Sequence, residues 1–171
     1  MFKLLQYLLI LILLHISLEA YESEDKLKTV IVGKVAKYIS WRKRSEDSFV
    51  ITVLNNKYGT LFDEVYFDKS IKSKPVVIRY IDNIANLGDT DILYIAELEE
   101  LSLDEVLDIS KNKNILTVSD MRGFAQKGGT LQLYFVGQKL KLKMNIDVLQ
   151  DEGFHIERTL LKIVEVVEEE E

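Results

Sequence analysis

Between residues 49 and 119 the chain returns four times to a short, β-branched, almost wholly apolar run: Phe49 to Leu54, Pro75 to Ile81, Asp91 to Ala96, and Ile115 to Ser119. Each run is short for a helix, and Phe49 to Leu54 is too continuous for a strand with one wet face. Such runs suit strands buried on both faces, and a sheet buried on both faces is a mostly parallel sheet covered by helices. Pro75 stands first in its run, where a missing N–H is tolerated.

The intervening segments supply the helices. Lys26 to Trp41 carries Leu27, Val30, Ile31, Val35 and Ile39 at helical spacing, which predicts an amphipathic first helix ending near Trp41. Trp41 is expected to cap the core. Asn55-Asn56 and Gly59-Thr60 mark a turn and a helix start, with Leu61, Val65 and Phe62 as the apolar face. Ser102 to Ile109 reads as a short helix opened by an S-x-x-E capping box of Ser102 and Glu105.

The last third changes pattern. Met121 to Thr130 reads M-R-G-F-A-Q-K-G-G-T. Two alternating runs follow, Thr130 to Phe135 and Leu140 to Met144, joined by Val136-Gly137-Gln138-Lys139 as a hairpin. Leu160, Leu161, Ile163 and Val164 predict a last helix, and Glu168 to Glu171 an acidic, frayed end. The expected fold is therefore α/β: a three-layer αβα sandwich with a central, mixed but mostly parallel sheet and an antiparallel C-terminal hairpin.

Residues 1–20 have the tripartite form of a secretory signal peptide. Lys3 is the basic flank, Leu8 to Leu14 an unbroken apolar run, and Ala20 the expected cleavage position. The run is well short of the ~20 residues that span a bilayer. Residues 21–171 are then one domain, with an acidic tail from about 165. Export to the periplasm is the expectation. There is no Cys in the 171 residues, which excludes disulfides, thiol nucleophiles and Cys-ligated metals. Net charge is −6, and an acidic domain repels phosphate backbones, so nucleic acid is not an expected partner. The basic cluster Trp41-Arg42-Lys43-Arg44 reads as a solvated loop.

Catalytic patterns fail on inspection. Gly123-Phe124-Ala125-Gln126-Lys127-Gly128-Gly129-Thr130 superficially resembles a phosphate-binding loop. Gly129 stands where the phosphate-binding Lys belongs, and a strand follows instead of a helix. The glycines are expected to permit positive φ in a tight turn. Ser119-Asp120 ends a strand, where α/β proteins often place active groups. A serine hydrolase needs a base, and His155 is the one His beyond the leader; Asp120 is expected to cap the following turn. His155 and Glu157 alone make a poor metal site. The chain is expected to be no enzyme and to need no cofactor.

The segments Ile39-Ser40-Trp41, Phe49 to Leu54, Asp91 to Ile95, Ile115 to Asp120, Gly123-Phe124-Ala125, Gly128-Gly129, Asn145-Ile146 and Arg158 to Leu161 occur in this order over residues 25 to 166. In that layout the chain resembles the YfiR family of periplasmic proteins, also described as HmsC-like. The resemblance implies an αβα domain that binds the periplasmic sensor domain of an inner-membrane diguanylate cyclase, or another membrane sensor protein, and holds it inactive. It also implies an OmpA-like outer-membrane lipoprotein as a sequestering partner, and a homodimer by analogy. The family-motif residues are Trp41, Gly123, Phe124, Gly128, Gly129, Asn145, Leu160 and Leu161. Contact with a partner is expected around Gly123 to Gly129 and the final helix. The alternative is a small-ligand-binding or transport accessory protein, with a pocket lined by aromatics such as Tyr94, Phe124 or Tyr134.

Overall fold

The computed structural model describes residues 24–40, 47–98 and 102–168. A first helix, α1 (24–36), is followed by β1 (Ile39–Ser40), β2 (Phe49–Leu54), α2 (Leu61–Tyr66), β3 (Ser70–Ile71) and β4 (Lys74–Ile81). A 3₁₀ turn (Ile84–Asn86) leads to β5 (Ile92–Ile95), α3 (Leu103–Asn112) and β6 (Leu116–Ser119). Then come β7 (Leu131–Val136), β8 (Lys139–Asn145), α4 (Ile146–Asp151), β9 (His155–Ile156), α5 (Arg158–Leu161) and β10 (Glu165–Val167).

The main sheet has eight strands in the order β10-β8-β7-β6-β5-β2-β4-β3. The strands β4, β2, β5, β6 and β7 run parallel to one another. The β7–β8 hairpin is antiparallel, and β10 adds parallel to β8. This is the expected sandwich, with helices on both faces.

The winding follows from strand order. From β2 the chain passes outward to β4, and the buried residues of the connecting α2, Phe62 and Tyr66, join one core cluster with α1. It then crosses back to β5 and continues to β6 and β7. Those connections bury Ile84, Leu87, Val106 and Phe124 in a second cluster on the opposite face. Right-handed crossovers require this change of face when the direction of winding reverses. The reversal lies between β2 and β5, and the crevice outside the carboxyl ends of such strands is where open α/β sheets place ligands. All the residues of β2, β5 and β6 are buried, as their continuous apolar runs require.

Three expectations are corrected. The first helix ends at 36, not near Trp41; Ile39, fully buried, leaves the helix to pair with Ile156 in a small two-stranded sheet. Trp41 itself lies outside the described residues, as do 1–23 and 169–171. In α2 the buried side chains are Phe62 and Tyr66, whereas Leu61 and Val65 are only partly buried.

The third correction concerns the C-terminus, which holds no long last helix. Instead α4 begins directly after β8, and α5 is a single turn of four residues. Gly153, at φ 76°, ends the α4 stretch. The β-branched Val166-Val167 then supplies an edge strand beside β8. Of the leucine pair, Leu160 is buried and Leu161 is exposed. Among the described residues no helix is long and apolar enough to cross a membrane.

Candidate functional site

At the carboxyl end of β6 stands Asp120. Its Oδ2 accepts from Lys28 Nζ of α1 at 2.7 Å, and the same ammonium donates to Asp25 at 2.9 Å. Tyr58 OH donates to Asp120 Oδ2 at 3.3 Å and lies 3.1 Å from Tyr94 OH. Lys57 Nζ is 3.8 Å from the other carboxylate oxygen. Asp120 is thus no cap for the turn after β6. That role falls to Ser119, whose Oγ accepts from the Met121 N–H at 3.1 Å and donates to the Ile95 carbonyl at 2.8 Å.

Burial works against the Lys28 charge, but hydrogen bonds to Asp120 and Asp25 overcome it and hold the ammonium above its ordinary range. Burial, with Tyr94 and Asp120 alongside, drives the Tyr58 hydroxyl strongly upward, so it remains a donor. Neither group is poised for proton transfer at neutral pH. The cluster ties α1 to the sheet edge.

The glycine segment follows Asp120. Gly123 and Gly128 take φ of 76° and 86°, as a tight turn between strands requires. Gly129 serves a different need: a Cβ there would stand 2.3 Å from the Phe124 ring. Phe124 folds back under the turn and fills the second core cluster. The Ala125 N–H donates to Gln132 Oε1 at 3.3 Å, and the Ala125 carbonyl accepts from Asn145 Nδ2 at 3.0 Å. Asn145 Oδ1 also accepts from the Val148 N–H at 3.1 Å, capping α4. Gly123, Phe124, Gly128, Gly129 and Asn145 therefore form one structural unit. Leu160 does not join it; it packs in the other core cluster, across the sheet.

Beyond this unit, Tyr134 and Lys143 on the outer face of the β7–β8 hairpin are only partly buried among the described residues. The outer face of β7 and β8 meets the glycine segment in an open cleft of about 670 Å³. Its walls carry Asp120, Arg122, Gln126, Lys127, Gln132, Tyr134 and Lys143, with Gly123 between them. Tyr134 OH donates to Glu165 of β10 at 2.7 Å, and Lys143 Nζ lies 3.2 Å from the same carboxylate and 5.3 Å from the Tyr134 ring centre. Arg122 and Lys127 are exposed and make no ion pair among the described residues. Gln126 Oε1 is buried without a hydrogen-bond partner among them.

Sequence reasoning pointed to Gly123 to Gly129, and so to Gln126 and Lys127, and to Tyr134; it took Asp120 for a cap and did not single out Arg122, Gln132 or Lys143. The usable signal was the alternation that sets Gln132 and Tyr134 opposite Leu131 and Leu133. Tyr94 and Phe124, expected as pocket aromatics, are fully buried instead. Among the described residues no group of three or more metal-ligating side chains is assembled.

A smaller cleft of about 210 Å³ separates α3 from the glycine segment, lined by Asp104, Leu107, Asp108, Lys111, Lys127, Gly128, Val148 and Glu152. Glu152 is 8% exposed, and its Oε2 has no hydrogen-bond partner among the described residues. Burial pushes this carboxyl up from 4.5 to about 7, Lys111 pulling against the rise and Asp151 adding to it. The folded state therefore holds a proton that the unfolded chain releases. This contribution to stability is complete below the usual carboxylate range and is lost as pH rises through about 7. Glu152→Gln is expected to melt about 4 °C above the parent near pH 8 and together with it near pH 5, read by thermal scans at both values. A gap that does not vary with pH would contradict the raised carboxyl.

The fold and its edge thus define an αβα domain with an open polar cleft beside the glycine segment. A family model described as YfiR/HmsC-like matches residues 25–165, and the chain belongs to that family. The family is one of periplasmic regulators of the diguanylate cyclase type. No curated protein matches the chain. Among solved structures, the ABC domain in complex with L-Trp from Streptococcus pneumoniae is similar at a TM-score of 0.49 and 9% identity. That alignment covers 70% of this chain and 55% of the other, so this chain spans about half of that structure's length.

Proposed function

We propose that this protein is a periplasmic binding protein that represses a membrane-bound diguanylate cyclase by binding its periplasmic sensor domain, so lowering cyclic di-GMP. The family match over residues 25–165 carries the reading. In it, residues 1–20 are a cleaved export signal and residues 21–171 the working domain. An OmpA-like outer-membrane lipoprotein that withdraws the repressor, and a homodimer, belong to the same reading.

Repression of this kind needs differential affinity. The protein must favour the inactive state of the sensor over the active one, and by roughly 5 kcal/mol to turn a mostly active population into a mostly inactive one. The Asp120–Lys28 cluster and the Asn145-tied glycine segment support this role by holding the carboxyl edge rigid. A rigid docking surface loses little freedom on association.

The test is capture of the tagged protein from solubilised envelopes of its own bacterium, followed by a cyclase assay of what is recovered. A membrane protein with a diguanylate cyclase domain, inhibited on adding the purified protein, is the expected result. Recovery of no signalling protein by folded, abundant bait would overturn the reading and favour a small-ligand role.

A further inference from the structure

We infer that the cleft beside the glycine segment receives an acidic peptide segment of the partner protein; this deepens the proposed function and rests on it. The charge distribution comes first. The chain as a whole is acidic at −6, yet Arg122, Lys127 and Lys143 converge on one cleft. The carboxylate facing them, Asp120, is already held by Lys28 at 2.7 Å. Lys143 is partly satisfied by Glu165, whereas Arg122 and Lys127 make no ion pair among the described residues. The cleft therefore carries positive charge that the fold leaves uncompensated, and such a surface selects an acidic partner.

The hydrogen-bonding groups narrow the class further. Gln126 lines the same cleft, and its Oε1, shut off from solvent as the side chain lies, has no partner among the described residues. A buried acceptor left open is costly, so an occupant that draws the Gln126 amide outward and brings it an N–H is favoured. A bare carboxylate brings no donor at neutral pH; inorganic phosphate keeps a hydroxyl donor but is small against a cleft of about 670 Å³. A peptide brings both: main-chain N–H groups for Gln126, and Asp or Glu side chains for Arg122 and Lys127. At about 670 Å³ and open to solvent, the cleft has room for several residues of extended chain. Gln132, Tyr134 and Lys143 of the β7–β8 hairpin supply part of its lining, with Tyr134 as an amphipathic contact. Tyr and Arg are residue types enriched where proteins meet.

The experiment measures fluorescence anisotropy of the purified protein with a short fluorescein-labelled Asp/Glu-rich peptide. The controls are a Lys-rich peptide of equal length, inorganic phosphate as competitor, and the double charge reversal Arg122→Glu/Lys127→Glu. Both reversed residues are exposed, so the variant should fold, which circular dichroism checks. Expected are binding of the acidic peptide alone, weakening with added salt, no competition by equimolar phosphate, and at least ~10-fold loss in the variant. Absence of binding, equal binding of both peptides, displacement by phosphate, or unchanged affinity in the variant would each overturn the inference.

Envelope capture separates the two levels. If parent and variant recover the same cyclase equally, the regulatory role stands and the cleft assignment falls. If the peptide results hold and no cyclase is recovered by either, the cleft stands and the partner is of another kind.

Discussion

Asn145→Ala is expected to cost about 3 kcal/mol in urea unfolding and to lower the melting temperature by roughly 6–12 °C. The side chain is fully buried and spends both ends of its amide. Its oxygen accepts from the Val148 N–H at 3.1 Å, and its nitrogen donates to the Ala125 carbonyl at 3.0 Å. Loss of an N-cap costs about 0.5–2 kcal/mol. Leaving a buried carbonyl open adds about 1–3 kcal/mol.

The two functions separate by substitution. Asn145→Ser keeps an acceptor for Val148 but has no reach to Ala125, and should regain about 1 kcal/mol of the loss. Asn145→Asp keeps the cap and sets a carboxylate oxygen against the Ala125 carbonyl, so it should remain destabilised near neutral pH. A loss below about 1 kcal/mol for Asn145→Ala would show that the glycine segment is anchored elsewhere.

This anchoring explains why the glycine motif could be read from sequence while the cleft beside it could not. Gly123, Phe124, Gly128 and Gly129 lie within seven positions, and their constraints are local: positive φ at two of them and close approach at a third. The central strands were equally legible, because six consecutive buried residues in Phe49–Leu54 leave a plain mark. Ile39 misled because it sits four residues after Val35, in phase with the helix. Only Ile156, more than a hundred positions away, draws it into a strand. Leu160 to Val164 misled in the same way, since the spacing suits a helix but the open edge of β8 takes the following residues into β10. The polar alternation of Gln132, Tyr134 and Lys143 was visible. Whether a helix would cover that face depends on how the whole chain winds, and no local pattern records it.

Asp120 was the other blind spot, and its replacement is the second large effect. Asp120→Ala is expected to cost about 3 kcal/mol. The Lys28 and Asp120 side chains are only 12% and 14% exposed, so removing the carboxylate leaves a largely desolvated ammonium with Asp25 as its remaining partner. It also removes the acceptor of Tyr58 OH, which keeps Tyr94. Lys28→Met alone leaves Asp25 and Asp120 without the cation between them, and should cost a similar amount. In the double variant Lys28→Met/Asp120→Ala neither charge of the pair remains, so its cost should fall short of the sum of the singles by about 1–2 kcal/mol. A double-mutant cycle in denaturant measures that coupling directly. Additivity would mean that the contact only neighbours the fold and does not hold α1 to the sheet.

The pH dependence points the same way. The folded-state Lys28 ammonium is held above its ordinary value of 10.5. Its contribution is therefore complete below the ordinary lysine range and is lost only as pH rises through the higher folded value. The coupling should be constant across neutral pH and vanish in strong alkali. That separates it from the Glu152 effect, which changes near pH 7 and has no part in tying α1 to the carboxyl edge.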